Sequence, residues 1–144
     1  MNQLKKLLST DLAGVAPHVG LLLLRLGAGL YMGLFHGKNA LLELLAGNTD
    51  FPDPLGMGSG TVKLLMGVFA EFVCAWLVVL GLFTRLACVP LVVGFFIAVF
   101  VQHAADDLFA KNLSFMYLCA FATLMLTGAG RYSVDGKFFK RNKS

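Results

Sequence analysis

Four apolar runs, His18–Phe35, Val62–Phe83, Leu86–Val101 and Leu113–Thr127, take up about half of this chain and leave little from which a water-soluble domain could be built. A bilayer core about 30 Å thick is crossed by roughly 20 helical residues at about 1.5 Å each. The first two runs meet that length, while the third and fourth must recruit flanking residues or tilt very little. The chain is 58% hydrophobic and 14% charged, where soluble domains carry roughly 45–50% apolar and about 25% charged residues. The pattern predicts an all-α integral membrane protein, a four-helix bundle with spans near 18–36, 61–83, 86–102 and 113–128. These spans form one membrane domain, 17–130, between an N-terminal tail, 1–16, and a basic tail, 131–144.

The Lys/Arg distribution sets the expected orientation. With both termini cytoplasmic, the inner side carries Lys5, Lys6, Arg85, Arg131, Lys137, Lys140, Arg141 and Lys143, against Lys38, Lys63 and Lys111 outside. That bias is the positive-inside pattern. Lys5 and Lys6 also resemble the start of a signal peptide. The run that follows is longer than an h-region, contains Arg25 and has no clear A-x-A site after it, so it reads as a retained first span. The net charge of +4 gathers in the tails. No basic face with interleaved aromatics supports a nucleic-acid partner, and the tails suit an anionic leaflet of the lipid bilayer. Cys74, Cys88 and Cys119 contain no C-x-x-C and cannot form a complete disulfide framework; they read as small buried hydrophobes.

The sizeable loop runs from Gly37 to Gly60. Its start, Asn39–Ala46, predicts a short interfacial helix, and Phe51-Pro52-Asp53-Pro54 must turn or re-enter, because prolines this close cannot sustain a helix. The tight link around Thr84-Arg85 predicts an antiparallel hairpin of spans two and three. Gly29, Gly33 and Gly37 recur at every fourth position of span one. Such a row lets another helix approach closely, within the bundle or, alternatively, in a homo-oligomer.

Two ionisable residues interrupt the apolar runs: Arg25 in the first and Glu71 in the second. A charge at that depth normally faces a partner, a cavity or a functional site. Arg25 lies roughly 10 Å from the inner start of span one, and Glu71 roughly 17 Å from the inner end of span two. An arginine can bridge that offset, so an Arg25–Glu71 ion pair is expected, either as a structural lock or with Glu71 as a proton carrier. His36 and His103 fall at the outer ends of spans one and three, beside Lys38 and Gln102. Spans that are neighbours would let them converge as proton-transferring or hydrogen-bonding groups. Two histidines fall short of a zinc ligand set, so no metal is expected. The candidate catalytic residues are Glu71, His36 and His103, with Arg25, Lys38 and Gln102 as candidate cofactor contacts. Gly128-x-Gly130 is followed by a polar tail and not by a strand–helix unit, which excludes a dinucleotide fingerprint.

Taken in order, Leu24-Arg25-Leu26-Gly27, His36-Gly37-Lys38-Asn39, Glu71, Leu80-Gly81-Leu82-Phe83-Thr84-Arg85-Leu86-Ala87, His103 and Gly128-Ala129-Gly130-Arg131-Tyr132-Ser133-Val134-Asp135 resemble the DoxX family, from about Leu21 to Asp135. The Gly-Leu-x-Thr-Arg step and the Gly-x-Gly-Arg-Tyr-Ser-x-Asp ending are the most specific pieces. The resemblance implies a four-helix protein of bacterial membranes, here expected as a multi-pass protein of the cytoplasmic membrane. The family archetype resembles a small subunit of a thiosulfate-oxidising, quinone-reducing complex, which implies a quinone as cofactor. This chain shows groups for protons and no electron-carrying motif, so that role would require a partner subunit bearing the redox centre. Ser114 stands roughly where many members carry an acid near the start of span four. Two other functions remain open: a non-catalytic membrane scaffold or anchor, and a small-solute or proton pathway, which would favour an oligomer. Whether the chain is an enzyme is left open by its residues.

Overall fold

In a computed structural model of the protein, residues 15–48, 56, 58, 60–105, 107, 109 and 111–141 are described. Every regular element among them is helical, as lipid requires of chain segments that must satisfy their own backbone groups. Helix α1 runs Ala16–Leu45, α2 Gly60–Leu80 and α3 Thr84–Gln102, with 30, 21 and 19 residues. Each is long and apolar enough to cross a membrane. The 16-residue α4, Asn112–Thr127, is apolar but shorter, and packs along α3; α5, Val134–Arg141, adds 8 residues. Helix α1 lies against α2 and α4, and α3 lies against the same two, so α1 and α3 stand on the diagonal of the bundle.

The outer surface carries large apolar side chains facing away from the protein, among them Leu23 (66% exposed), Leu86 (71%) and Leu126 (73%). Soluble monomers rarely show apolar surface on that scale. Lipid tails solvate such side chains, so close packing rather than water exclusion must hold the helices together. The glycine row of α1 supplies that packing. A Cβ on Gly29 would lie 2.8 Å from Val79 Cγ2, and one on Gly33 would lie 3.2 Å from Trp76 Nε1. On Gly37 it would run into the backbone of Glu71 and Phe72. The row therefore faces α2 inside the bundle and fixes an antiparallel register, with Gly29 near Val79 and Gly37 near Glu71.

Two boundaries depart from the sequence reading. The expected interfacial helix at Asn39–Ala46 is not separate: a π-helical stretch, Met32–Gly37, carries α1 without a break to Leu45. At about 1.5 Å per residue α1 spans about 45 Å, more than a bilayer core, so part of it projects beyond the hydrocarbon. Helix α2 stops at Leu80 instead of continuing to Phe83 because Gly81 turns left-handed, with φ 69°. The Gly81 N–H then donates to Val78 O and the Leu82 N–H to Leu77 O, each at 3.0 Å, closing a Schellman turn. Phe51-Pro52-Asp53-Pro54 lies outside the described residues.

Candidate functional site

The two charges of the apolar runs lie at different levels of the bundle. Arg25 is 2% exposed. Its guanidinium donates from Nε to Val79 O (3.3 Å), from Nη1 to Ala129 O (2.7 Å) and from Nη2 to Tyr132 O (2.7 Å). Val79 belongs to the last turn of α2, where carbonyls lack helical partners and the helix dipole is negative. The expected Arg25–Glu71 ion pair does not form. Glu71 precedes Val79, whose carbonyl accepts from Arg25, by eight residues, about 12 Å along α2.

Around Arg25 three of the segments quoted for the resemblance, those holding Arg25, Gly81–Arg85 and Gly128–Asp135, meet in one clasp. A Cβ on Gly81 would lie 2.7 Å from Arg25 Nη1 and 2.5 Å from Ser133 Cβ, so only glycine fits beneath the guanidinium. Arg85 Nη2 donates to Leu126 O near the end of α4 (3.2 Å). Asp135 accepts from the Phe83 and Thr84 N–H groups at the start of α3. Arg25, expected as a cofactor contact, is engaged by the protein's own backbone.

The other end of the bundle carries the remaining polar groups. The buried core falls into two clusters: one contains Met32, Cys74, Ala75, Val78 and Phe121, the other Ala40, Leu64 and Val68. His36 lies midway between Met32 and Ala40 on α1, and Glu71 midway between the clusters on α2. Buried residues of α2 recur as Leu64, Val68, Ala75 and Val78. Glu71 occupies the missing step of that helical stripe and so faces the interior. The contact of Gly37 with the Glu71 backbone sets both residues at one depth. Together they form a polar layer between two apolar ones.

Each of the three long helices is π-helical for one stretch: Met32–Gly37, Val68–Cys74 and Ala98–Gln102. The first holds His36, the second Glu71 and the third ends at Gln102. Single π turns occur often at functional sites, because the extra residue re-aims side chains without ending the helix. His36 sits among aromatic rings, with centroids 5.9 Å from Tyr117 and 6.1 Å from Tyr31. Tyr117 in turn stacks on Phe95 at 5.1 Å. His36 Nδ1 is buried and has no hydrogen-bond partner among the described residues. No described residue pairs with the Glu71 carboxylate either. Polar atoms left unmatched in a protein interior are costly, and Thr84 Oγ1 near the clasp is another.

Lys38 and Gln102 are exposed. The His103 N–H donates to Ala98 O (3.0 Å), and its carbonyl accepts from Lys111 Nζ (3.2 Å). The helices that carry His36 and His103, α1 and α3, stand on the diagonal of the bundle. Tyr117 was missed by the sequence reading; its signal is its place in the buried stripe Tyr117, Phe121 and Leu124 of α4. Cys74 and Cys88 are buried, whereas Cys119 is exposed. Among the described residues no group of three or more His, Cys, Asp or Glu is placed to hold a metal ion.

The sequence profile of the DoxX family matches residues 20–104, more than half of the chain. The chain belongs to the DoxX family. The matched region takes in Arg25, His36, Glu71, Gly81, Arg85 and His103, and so His36 and Glu71 of the polar layer but only the Arg25, Gly81 and Arg85 side of the clasp. A Haemophilus influenzae protein, described only as an uncharacterized protein, is 35% identical to this DoxX protein over 121 residues, covering 77% of this chain and 85% of the relative. No solved structure matches. Family and helices together make this DoxX protein a multi-pass membrane protein.

Proposed function

We propose that this DoxX protein is a quinone-linked partner of a membrane-associated oxidoreductase, and that the His36–Glu71 layer is where the quinone headgroup is met. The observation that carries the reading is a buried, unmatched His36 Nδ1 beside an aromatic array, level with an inward-facing carboxyl group. That donor set fits a planar ring bearing carbonyl oxygens. When bound, a quinone supplies two-electron, two-proton redox chemistry. In this reading His36 hydrogen-bonds a ring carbonyl, Glu71 holds and releases a proton at its carboxylate, and Tyr117 orients the ring. The electrons are assigned to a partner subunit bearing the redox centre. The protein would cross the bacterial cytoplasmic membrane four times, with both termini inside, so that the layer lies in the outer half of the bilayer.

Purification in mild detergent, with co-purifying proteins and extracted small molecules identified by mass spectrometry, tests this reading. Recovery of quinone together with a flavin, haem or iron–sulfur protein supports it. Recovery of a partner without quinone supports a membrane scaffold. One observation favours that second reading: Arg25, Gly81, Arg85 and Asp135, from segments that carry the family resemblance, are all engaged in closing one end of the fold.

A further inference from the structure

Helix α5 is fastened to the bundle at its start. Ser133 Oγ accepts from the Gly136 N–H (2.9 Å) and donates to Gly130 O (2.6 Å), capping the helix. The Asp135 N–H donates to Gly81 O (2.8 Å), while its carboxylate receives the Phe83 and Thr84 N–H groups. These contacts hold α5 at the level where α2 ends, α3 begins and α4 ends. For helices of this apolarity, that level is the headgroup layer of the bilayer.

The chemistry of α5 matches that location. Phe138 is 69% exposed and Tyr132 47% exposed. Lys137 and Arg131 are exposed beside them, and the sequence continues with Lys140, Arg141 and Lys143. Asp135 is the acid among residues 129–144, and the two backbone donors already occupy it. An exposed aromatic beside a surplus of basic residues, on a short helix held at the membrane surface, is the make-up of an interfacial helix.

We propose that α5 is an anionic-lipid-binding element, with Phe138 in the headgroup–acyl boundary and Arg131 and Lys137 on phosphate headgroups. The proposal rests on the membrane location and is independent of the quinone reading. The test is backbone hydrogen exchange of the full-length protein in nanodiscs of phosphatidylcholine, with and without phosphatidylglycerol. Amides of 137–141 should exchange about tenfold more slowly when phosphatidylglycerol is present, and high salt should remove the difference. A Lys137→Glu/Lys140→Glu variant should show the slower rate in neither lipid. Its unchanged exchange in α3 would show that the clasp persists. Equal rates in the two lipids would overturn the proposal. So would loss, in the same variant, of a co-purifying acidic protein with no response to lipid, which would identify a protein partner instead.

Discussion

The carboxylate of Asp135 accepts the Phe83 N–H at 2.8 Å and the Thr84 N–H at 2.9 Å, joining the tail of the chain to the start of α3 across 51 residues. No side chain at the helix start itself does this work: the cap position is Phe83, held at φ 49°, and it offers no acceptor. A distant acid therefore acts as the N-cap, and its negative charge suits the positive end of the helix dipole.

Asp135→Ala should leave both N–H groups without that acceptor and cost about 1–2 kcal/mol. Thermal melting in detergent checks this. A melting curve identical to that of the parent protein would mean that solvent serves the helix start equally well.

Arg25→Lys should also destabilise the protein, by roughly 2 kcal/mol or more, because an ammonium group cannot reach three carbonyls in a fixed fork. The charge-swapped Arg25→Glu/Glu71→Arg protein should be no more stable than Arg25→Glu alone. Recovery in the double variant would restore the ion pair that the geometry denies.

Gly37→Ala should disrupt the fold most among substitutions of the α1 glycine row, since its Cβ meets the backbone of α2 and no flexible side chain can yield. Gly20→Ala, with nothing within 4 Å of the added carbon, should be neutral or stabilising by up to about 1 kcal/mol. Yields of folded, monodisperse protein from size exclusion in detergent would rank the two.

Much of this architecture was legible in the chain. The apolar runs announced membrane helices, and the glycine spacing announced a close helix contact, because length and periodicity are local properties. The partner of Arg25 was not legible from depth. Its acceptors are carbonyls of Ala129 and Tyr132, more than a hundred positions away, and only the folded-back tail brings them there. The unbroken course of α1 through Met32–Gly37 was hidden too, since a π turn has no sequence signature comparable to a proline or a cap. Glu71 was legible as a charge within an apolar run, and His36 as a histidine at the outer end of span one. Tyr117 has no such mark in the sequence, and only the bundle sets it beside His36.

Glu71→Gln should leave thermal stability within about 1 kcal/mol of the parent, since no described residue depends on the carboxylate for a hydrogen bond or ion pair. Its effect should fall on function. Loss of folding in this variant would mean that Glu71 is a structural group.

Trp76 provides the most direct test of the polar layer. It is the single tryptophan of the chain, packs against Gly33 and lies near Phe72, with ring centroids 6.4 Å apart. It also follows Glu71 by five residues, about 7.5 Å along α2. Titrating purified protein with a short-chain benzoquinone while recording Trp76 fluorescence should give saturable quenching, with at least about tenfold weaker binding in His36→Ala and Glu71→Gln. Quenching that never saturates, or that is the same in all three proteins, would contradict a quinone site at the His36–Glu71 layer.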